Sequence, residues 1–384
     1  MERYAHITGW GMAVPEKVMT NDELARTVDT SDEWITSRTG IRERRIAGPK
    51  ETTASLAILA AQNALEVADM EPDEIDLIIV ATSTPEHIMP ATANLVQDAL
   101  GATKAGAFDL LAACSGFVYA LSIGSHIIRS GAMNNILIIG AETFSRILNW
   151  SDRSTCVLFG DGAGAFLLQG SDTPGGVLST LLRSDGSGGD ALIVPAGGSK
   201  LPASFETVRD NLHTVQMDGK EVYRFATRVM ASATREVVQC AGLKLEDIQL
   251  IVPHQANRRI IESAARSLEL PEEKFFVNLD RYGNTSAASI PLACCEAVKE
   301  GRLRPNDHTV LIGFGAGLAW AAAVVKWDVT ARPESRWHRL RRRAQYELAK
   351  VRSAIRRGAR QVEGLMYGSE VTQSGEKSKP PAPK

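Results

Sequence analysis

The chain has 384 residues, a formal net charge of −2 and a hydrophobic content of 44%, which is ordinary for a globular protein with two or three domain-sized units and a sizeable core. Positions 1–25 contain no apolar block, so no secretory signal is visible and we expect a cytoplasmic protein. Five cysteines without CxxC spacing argue against a disulfide framework and a structural zinc site.

The small net charge hides an asymmetry between the body of the chain and its C-terminal segment. Residues 331–384 contain ten arginines, four lysines and five glutamates, a charge of +9, whereas residues 1–330 carry −11. Two regions of such different charge are expected to have different functions. The charge difference separates a basic C-terminal segment (329–384) from the body. We divide the body into a first half (1–172) and a second half (173–328).

The two halves contain similar segments at one constant offset. Residues 73–80 resemble residues 246–252, and residues 135–140 resemble residues 309–313, with a displacement of 173 positions in both cases. We interpret the shared offset as a duplicated unit. A chance similarity between apolar runs is the alternative.

Each half shows the same predicted order of elements. An amphipathic helix (52–69; 221–241) precedes a continuous apolar strand, and a second helix (115–130; 286–299) precedes another. Apolar strands between helices are typical of a parallel sheet covered on both faces. The predicted fold is α/β with five layers, α/β/α/β/α, and the second helix of each half lies in the middle, where its small residues allow close packing.

Two further stretches complete the body. Residues 183–221 are rich in Gly, Ser, Asp and Pro, which predicts a long functional loop or cap. The uncharged run 309–325 is interrupted by three glycines, so we interpret it as two buried strands joined by a glycine turn and not as a membrane span.

The C-terminal segment is predicted to form a basic amphipathic helix and, beyond Gly368, a disordered end. Such a helix can bind an anionic membrane or an acidic partner; the alternative is a solvated helix packed on the acidic body. Aromatic residues are too few to favour nucleic-acid binding. Apolar or small residues recur at spacings of three and four with an eleven-residue period, at Trp337, Leu340, Ala344, Leu348, Val351, Ile355, Ala359, Val362 and Met366.

Cys114 is the first candidate for chemistry. It follows the apolar segment 107–112 and begins a predicted helix, where backbone N–H groups and the positive helix end are expected to stabilise a thiolate. The alternative is a buried, inert thiol, which is how we interpret the other four cysteines.

His254 and Asn284 are two further candidates in the second half. His254 stands at the carboxyl end of a predicted strand, where functional groups of open α/β sheets gather, and Asn284 precedes the second central helix. A capping or turn role is the alternative for each. The offset of 173 pairs Cys114 with Ala287, so the duplication predicts that His254 and Asn284 face the Cys114 sulfur.

Three motifs carry a resemblance to a known family. Ala-Cys-Ser-Gly-Phe at 113–117, Pro-His-Gln-Ala-Asn at 253–257 and Gly-Asn-Thr-Ser-Ala-Ala-Ser at 283–289 resemble the active-site motifs of the β-ketoacyl-ACP synthase III family, the thiolase-fold condensing enzymes that initiate fatty-acid synthesis. The resemblance covers about residues 1–327, with supporting stretches at 30–35, 38–44, 159–165 and 313–318. It implies a thiolase-like fold of two duplicated halves.

The resemblance also implies the chemistry. Cys114 would take an acyl group from acyl-CoA, and His254 and Asn284 would donate hydrogen bonds to the malonyl thioester of acyl carrier protein during its decarboxylation. The backbone N–H groups of Cys114 and Ala316 would bind the oxyanion. Acyl-CoA and malonyl-ACP are the substrates, and neither a cofactor nor a metal is expected.

Binding residues follow from the same resemblance. Trp34 and Arg153 would sandwich the CoA adenine, and Arg38 and Arg259 would lie near the CoA phosphates and the docking surface for acyl carrier protein; surface salt bridging is the alternative for these basic residues. Met89 would line the acyl pocket of the partner subunit in a homodimer. Acyl carrier protein is also one acidic candidate for the C-terminal helix.

Three other functions stay open at this point. A related condensing enzyme or acyltransferase of a secondary-metabolite pathway would share these motifs. An inactive scaffold that recruits partners through its basic helix would not need all three candidate residues, and a hydrolase with a Cys–His pair would leave the duplication unexplained.

Overall fold

The computed structural model describes residues 2–328 and 336–371, with the side chains of residues 2–328 and 340–362. Within these ranges, no helix combines the length and the apolar character needed to cross a membrane. Thirteen strands are found in these ranges: β1 Tyr4–Ala13, β2 Val18–Thr20, β3 Glu43–Arg45, β4 Leu77–Ala81, β5 Gly106–Leu110, β6 Asn135–Thr143, β7 Asp161–Ser171, β8 Gly176–Ser184, β9 Leu192–Ile193, β10 Gln216–Met217, β11 Leu250–Pro253, β12 Asp307–Gly315 and β13 Ala319–Trp327.

Helices and strands alternate along most of the chain. Twelve α-helices occur in the described ranges: α1 Asn21–Leu24, α2 Asp32–Thr39, α3 Thr53–Ala68, α4 Thr92–Leu100, α5 Gly116–Arg129, α6 Arg153–Cys156, α7 Phe205–Arg209, α8 Gly219–Cys240, α9 Arg258–Leu268, α10 Leu279–Tyr282, α11 Ser289–Lys299 and α12 Arg336–Val371.

Two main sheets form the body. The first has the strand order β1-β7-β6-β4-β5 and the second has the order β11-β12-β13-β8. Parallel pairing is confined to the pairs of β4 with β5 and with β6, and of β11 with β12. The prediction of parallel sheets is therefore wrong for the other strands of both sheets, for example for the antiparallel pair of β1 and β7. The prediction for 309–325 is confirmed, because β12 and β13 are buried antiparallel strands joined by a short turn that contains Gly317.

The five predicted layers are present. The α5 and α11 helices each pack on strands of both sheets, whereas α3 covers the outer face of the first sheet and α8 covers the outer face of the second. Gly116, Ala120 and Ser122 of α5 and Ala293 of α11 are buried, and these small side chains leave room for two helices between the sheets.

The duplication is visible in the element boundaries. Strands β4 and β11 begin at Leu77 and Leu250, and helices α5 and α11 begin at Gly116 and Ser289, so both pairs are displaced by the offset found in the sequence. Each central helix is preceded by one 3₁₀ turn, at Ala113–Ser115 and at Ser286–Ala288. The two halves therefore place equivalent turns in contact with each other in the interior of the molecule.

The predicted cap at 183–221 contains short elements. Strands β9 and β10 pair with each other, and the connection between them includes α7. Leu192 and Met217 of this segment line the cavity that contains Cys114. The segment therefore covers the carboxyl ends of β11 and β12 in the second sheet.

The C-terminal helix α12 packs on the body through a mixed face of polar and apolar side chains. Arg342, Tyr346, Ala349 and Ser353 are buried, and Arg342 forms a 2.8 Å ion pair with Asp69. Five large residues of the predicted apolar face, Leu340, Leu348, Val351, Ile355 and Val362, lie on another side of the helix and are exposed, whereas the side chains of Trp337 and Met366 lie outside the described residues. The helix continues to Val371, past the predicted end at residue 368, and the rest of the segment predicted to be disordered lies outside the described residues.

Candidate active site

Cys114 lies in the 3₁₀ turn between β5 and α5, and its residue surface is only 3% exposed. Gly315, the last residue of β12, lies directly against Cys114. A Cβ atom on Gly315 would lie 2.7 Å from the backbone nitrogen of Cys114 and 3.1 Å from its Cβ atom. Only a residue without a side chain allows this approach, so the backbone of the glycine turn borders the nucleophile.

His254 follows the last residue of β11 and is buried. Its Nδ1 atom lies 2.7 Å from the hydroxyl oxygen of Ser289, and its ring contacts the Phe314 ring edge-on with centroids 5.1 Å apart. Burial lowers the pKa of His254 to about 3, so the ring is neutral at ordinary pH. The Ser289 hydroxyl can donate to Nδ1, and the proton of the neutral ring then resides on Nε2, which becomes a hydrogen-bond donor.

Asn284 is held by its backbone and by its side chain. Its N–H donates to the carbonyl oxygen of Leu158 at 2.8 Å, and its Oδ1 accepts from the Ser286 N–H at 2.8 Å. A backbone N–H can only donate, so the oxygen of the side-chain amide must face Ser286. The amide NH₂ group is therefore the part of Asn284 that remains available to a bound molecule.

One cavity of about 90 Å³ is lined by Cys114, His254 and Asn284 together. The three side chains come from two halves of the chain and meet at the carboxyl ends of strands in both sheets. The remaining lining is mostly apolar and comes from the body, the cap and helix α8: Leu158, Phe159, Leu192, Met217, Gly219, Val222, Tyr223, Ala256, Asn257, Ile260, Phe314 and Gly315.

Opposing effects act on the protonation of Cys114. Burial raises the pKa of the Cys114 thiol to about 12, and the charge of Glu142 raises it too, while a hydrogen bond with Ser286 lowers it. Desolvation of the buried thiol therefore opposes the stabilisation of a thiolate that the sequence predicts for this turn.

Glu142 and Ser286 are two site residues that the sequence analysis missed. Ser286 donates through its hydroxyl to Glu142 Oε1 at 2.9 Å, and Thr84 donates to Glu142 Oε2 at 2.6 Å. Burial raises the pKa of Glu142 to about 7, although these hydrogen bonds lower it. The sequence contained one signal for Glu142, a carboxylate at the end of an apolar strand. A carboxylate that is buried in such a place must accept hydrogen bonds from several donors.

The predicted CoA-binding residues lie together on the surface. The guanidinium groups of Arg153 and Arg38 lie 4.9 Å and 5.0 Å from the centre of the Trp34 ring. Asn257 links this cluster to the start of α9, since its side chain donates to the Arg38 carbonyl and accepts from the Arg259 N–H. Asn257 also lines the cavity, so the cluster is connected to the chamber that contains Cys114.

Like the four CoA-binding candidates, Ala316 and Met89 lie outside the cavity lining. Ala316 directly follows Gly315, and its side chain is not part of the lining, as suits a residue expected to act through its backbone N–H. Met89 is 80% exposed on the loop before α4, away from Cys114 of its own chain. Its predicted place in an acyl pocket requires a second subunit and stays a prediction.

A five-layered fold with a buried Cys, His and Asn at the junction of two duplicated halves defines a thiolase-like condensing enzyme. Sequence comparison agrees: the family 3-oxoacyl-[acyl-carrier-protein (ACP)] synthase III matches residues 108–186, and its C-terminal domain matches residues 238–327. The chain belongs to the β-ketoacyl-[acyl-carrier-protein] synthase III family.

Individual relatives support this membership. The β-ketoacyl-[acyl-carrier-protein] synthase III of Roseiflexus sp. (strain RS-1) is 54% identical over 327 residues, which is 85% of this chain and 99% of the relative. The same enzyme of Symbiobacterium thermophilum is 56% identical over 84% of this chain and 97% of its own. The crystal structure of 3-oxoacyl-[acyl-carrier-protein] synthase III from Aquifex aeolicus superposes with a TM-score of 0.78 at 47% identity, covering 84% of this chain and 99% of that one.

Proposed function

We infer that this enzyme is an acyltransferase that initiates fatty-acid synthesis: it takes an acyl group from acyl-CoA and condenses it with malonyl-ACP to give β-ketoacyl-ACP. The observation that carries this inference is the single cavity shared by Cys114, His254 and Asn284 in a member of this family. A related enzyme of a secondary-metabolite pathway is not favoured by the similarity to β-ketoacyl-[acyl-carrier-protein] synthase III enzymes at about 50% identity.

In the proposed acyl transfer, Cys114 Sγ attacks the thioester carbonyl of acyl-CoA. The bond between the carbonyl carbon and the CoA sulfur breaks, and the cysteine proton leaves with CoA as its thiol. The N–H groups of Cys114 and Ala316 donate to the oxyanion of the tetrahedral intermediate. The close contact between Gly315 and the Cys114 backbone supports this pairing, because it brings the glycine turn next to the reacting sulfur.

In the proposed condensation, the malonyl C–C bond breaks and carbon dioxide leaves. His254 Nε2–H and the Asn284 NH₂ group donate to the thioester carbonyl and stabilise the enolate that forms. The enolate carbon then attacks the acyl-Cys114 carbonyl, and the sulfur of Cys114 is released. A neutral histidine suits this role because decarboxylation generates the carbanion without removal of a proton, and no cofactor is needed.

We further propose that acyl-CoA binds with its adenine between Trp34 and Arg153, and that Arg38 and Arg259 contact its phosphates and the acidic carrier protein. The stacking of Arg153 on Trp34 supports this site, since an adenine ring can replace the guanidinium on the indole face. Arg38 and Arg259 lie at the surface beside the cavity, where a carrier protein must dock to deliver its malonyl group.

We propose a cytoplasmic homodimer. Strand β5 is the edge strand of the first sheet, and Ile88, Met89, Phe108 and Leu111 expose large apolar side chains near this edge. An apolar edge strand of this kind is a suitable surface for pairing with a second copy. All five cysteines are free thiols, as expected in a reducing compartment.

The function is tested by following the acyl group. Radiolabelled acetyl-CoA is incubated with the wild type, with Cys114→Ala and with Cys240→Ala, which removes an exposed cysteine as a matched control. We expect stable label on the wild type and on Cys240→Ala, transfer of that label into β-ketoacyl product when malonyl-ACP is added, and no label on Cys114→Ala. Equal labelling of all three proteins, or label that is never transferred, would contradict the proposed function.

A further inference from the structure

The C-terminal helix exposes a row of large aliphatic side chains, whereas Arg342, Tyr346, Ala349 and Ser353 form its buried face. Leu340, Leu348, Val351, Ile355 and Val362 are between 54% and 66% exposed. At about 100° per residue, these positions lie on the side of α12 opposite to the buried face. We call this row of five side chains the apolar stripe. It extends for about 33 Å at 1.5 Å per residue.

The orientation of the helix is fixed by contacts with the acidic body. Arg342 pairs with Asp69 at 2.8 Å, Arg357 lies 3.6 Å from Asp98, and the Ser353 hydroxyl also donates to Asp98. The helix therefore cannot rotate to bury the apolar stripe without breaking these contacts. A continuous exposed apolar row on a fixed helix indicates a surface that another molecule covers.

Basic residues border the apolar stripe on both sides. Residues 340–362 contain eight basic residues and one acidic residue, Glu347. Arg343, Arg356 and Arg360 form no ion pair among the described residues. A second copy of the helix would bring arginines against arginines along both flanks, so self-pairing is opposed by charge. The occupant must combine negative charge with an apolar surface.

A groove beside the helix has the same mixed chemistry. It has a volume of about 590 Å³ and lies between α12 and the body. Leu100, Leu348 and Ile355 provide aliphatic surface, while Arg352 and Arg356 provide guanidinium groups. The aliphatic side chains of this groove suit the acyl chain of a lipid, and the neighbouring guanidinium groups suit its anionic headgroup.

We propose that α12 binds the surface of an anionic lipid bilayer, lying parallel to it with the apolar stripe inserted among the lipid chains. The flanking arginines are at headgroup height in this orientation, which is the arrangement of interfacial amphipathic helices. A row of exposed apolar side chains about 33 Å long suits the surface of a bilayer. The catalytic cavity lies in the body, so lipid binding leaves it accessible.

The test uses the full chain and sedimentation with vesicles. One set is phosphatidylcholine alone and the other contains about one third phosphatidylglycerol. The stripe variant Leu348→Ser/Ile355→Ser removes apolar surface without a change of charge, and Ala354→Ser/Gln361→Ser is the matched control on an exposed flank. A third variant, Arg343→Gln/Arg356→Gln, removes one exposed charge on each side of the apolar stripe.

We expect binding to the anionic vesicles only. The stripe variant should lose about tenfold or more in partition coefficient, and the control should behave like the wild type. The arginine variant should also bind more weakly, and salt should weaken wild-type binding. Condensation activity should stay within about twofold of wild type in every variant, which separates this test from that of the proposed function.

Two outcomes would overturn the proposal. One is an absence of binding to anionic vesicles by the full chain, and the other is equal binding by the stripe variant. If the full chain does not bind anionic vesicles and the stripe variant instead loses affinity for acidic acyl carrier protein, the occupant is a protein and the lipid assignment is wrong.

Discussion

Ala113 and Ser286, which occupy equivalent positions in the two halves, adopt the same left-handed backbone conformation, with φ angles of 46° and 50°. Each begins the 3₁₀ turn that leads into a central helix. Residues other than glycine rarely adopt this conformation, so its repetition is a structural mark of the duplication. One copy of the turn carries Cys114, and the other follows Asn284, so equivalent backbone turns provide different chemistry in the two halves.

Close packing of the second turn against the first sheet predicts a sensitive glycine. A Cβ atom at Gly140 would lie 2.3 Å from the carbonyl oxygen of Ala287 and 2.8 Å from its carbonyl carbon. Both contacts are with backbone at the centre of the molecule, where little can move. We expect Gly140→Ala to lower the free energy of unfolding by about 3 kcal/mol or more in urea titrations.

Gly198→Ala is the matched control, because a Cβ atom at Gly198 meets nothing within 4 Å. This substitution in the cap should change the free energy of unfolding by no more than about 0.5 kcal/mol. Equal stability of the two variants would show that the central turn can relax, and the rigid packing between the halves would then be refuted.

The fixed orientation of Asn284 predicts a separation of the two half-reactions. Asn284→Asp keeps an oxygen that can accept from the Ser286 N–H, but it removes the NH₂ group that faces the cavity. We expect acyl-enzyme formation within about threefold of wild type and a loss of about a hundredfold or more in condensation with malonyl-ACP. Labelling by acyl-CoA and product formation are measured on the same preparation.

Asn211→Asp is the control for this change, since it makes the same substitution on the exposed cap. It should leave both half-reactions unchanged. A parallel loss of acyl loading and condensation in Asn284→Asp would mean that the side chain maintains the cavity and does not bind the malonyl thioester.

The sequence was sufficient for the layers and for the three residues at the cavity, because apolar strands, a repeated offset and short motifs are local signals. It was insufficient for Glu142 and Ser286, whose importance depends on a hydrogen bond between residues 144 positions apart. The C-terminal helix shows a different limit. The apolar stripe could be predicted from the sequence. The face that packs on the body is determined by contacts with Asp69 and Asp98, and the periodicity of the helix does not indicate these contacts.

Buried Glu142 predicts a pH-dependent contribution to stability. Burial raises its pKa from 4.5 to about 7, so between these values the folded protein keeps a proton that the unfolded chain has released. The stability that this group contributes is complete below pH 4.5 and is lost as the pH rises through about 7. Glu142→Gln removes the titration, because the amide is neutral throughout.

Urea unfolding of the wild type and of Glu142→Gln between pH 4 and pH 8 measures this contribution. From the lower to the upper end, the stability of the wild type should fall by about 3 kcal/mol relative to the variant. Other titrating groups cancel in the difference because both proteins contain them. Parallel stability curves would show that Glu142 is ionised throughout, held by the hydrogen bonds from Thr84 and Ser286.

We assign the Ser289 hydroxyl as the donor to His254 Nδ1, which holds the ring proton on Nε2, and this assignment predicts an effect on condensation alone. Ser289→Ala removes the donor that lies 2.7 Å from Nδ1, so the ring proton can move to Nδ1 and Nε2 ceases to donate. Condensation should fall about tenfold while acyl loading by Cys114 is unchanged. Nitrogen NMR of the histidine ring should show the proton shift. Ser125→Ala, which removes a buried helix hydroxyl bonded to the Ser122 carbonyl, should show neither effect; an unchanged His254 spectrum in Ser289→Ala would refute the assignment.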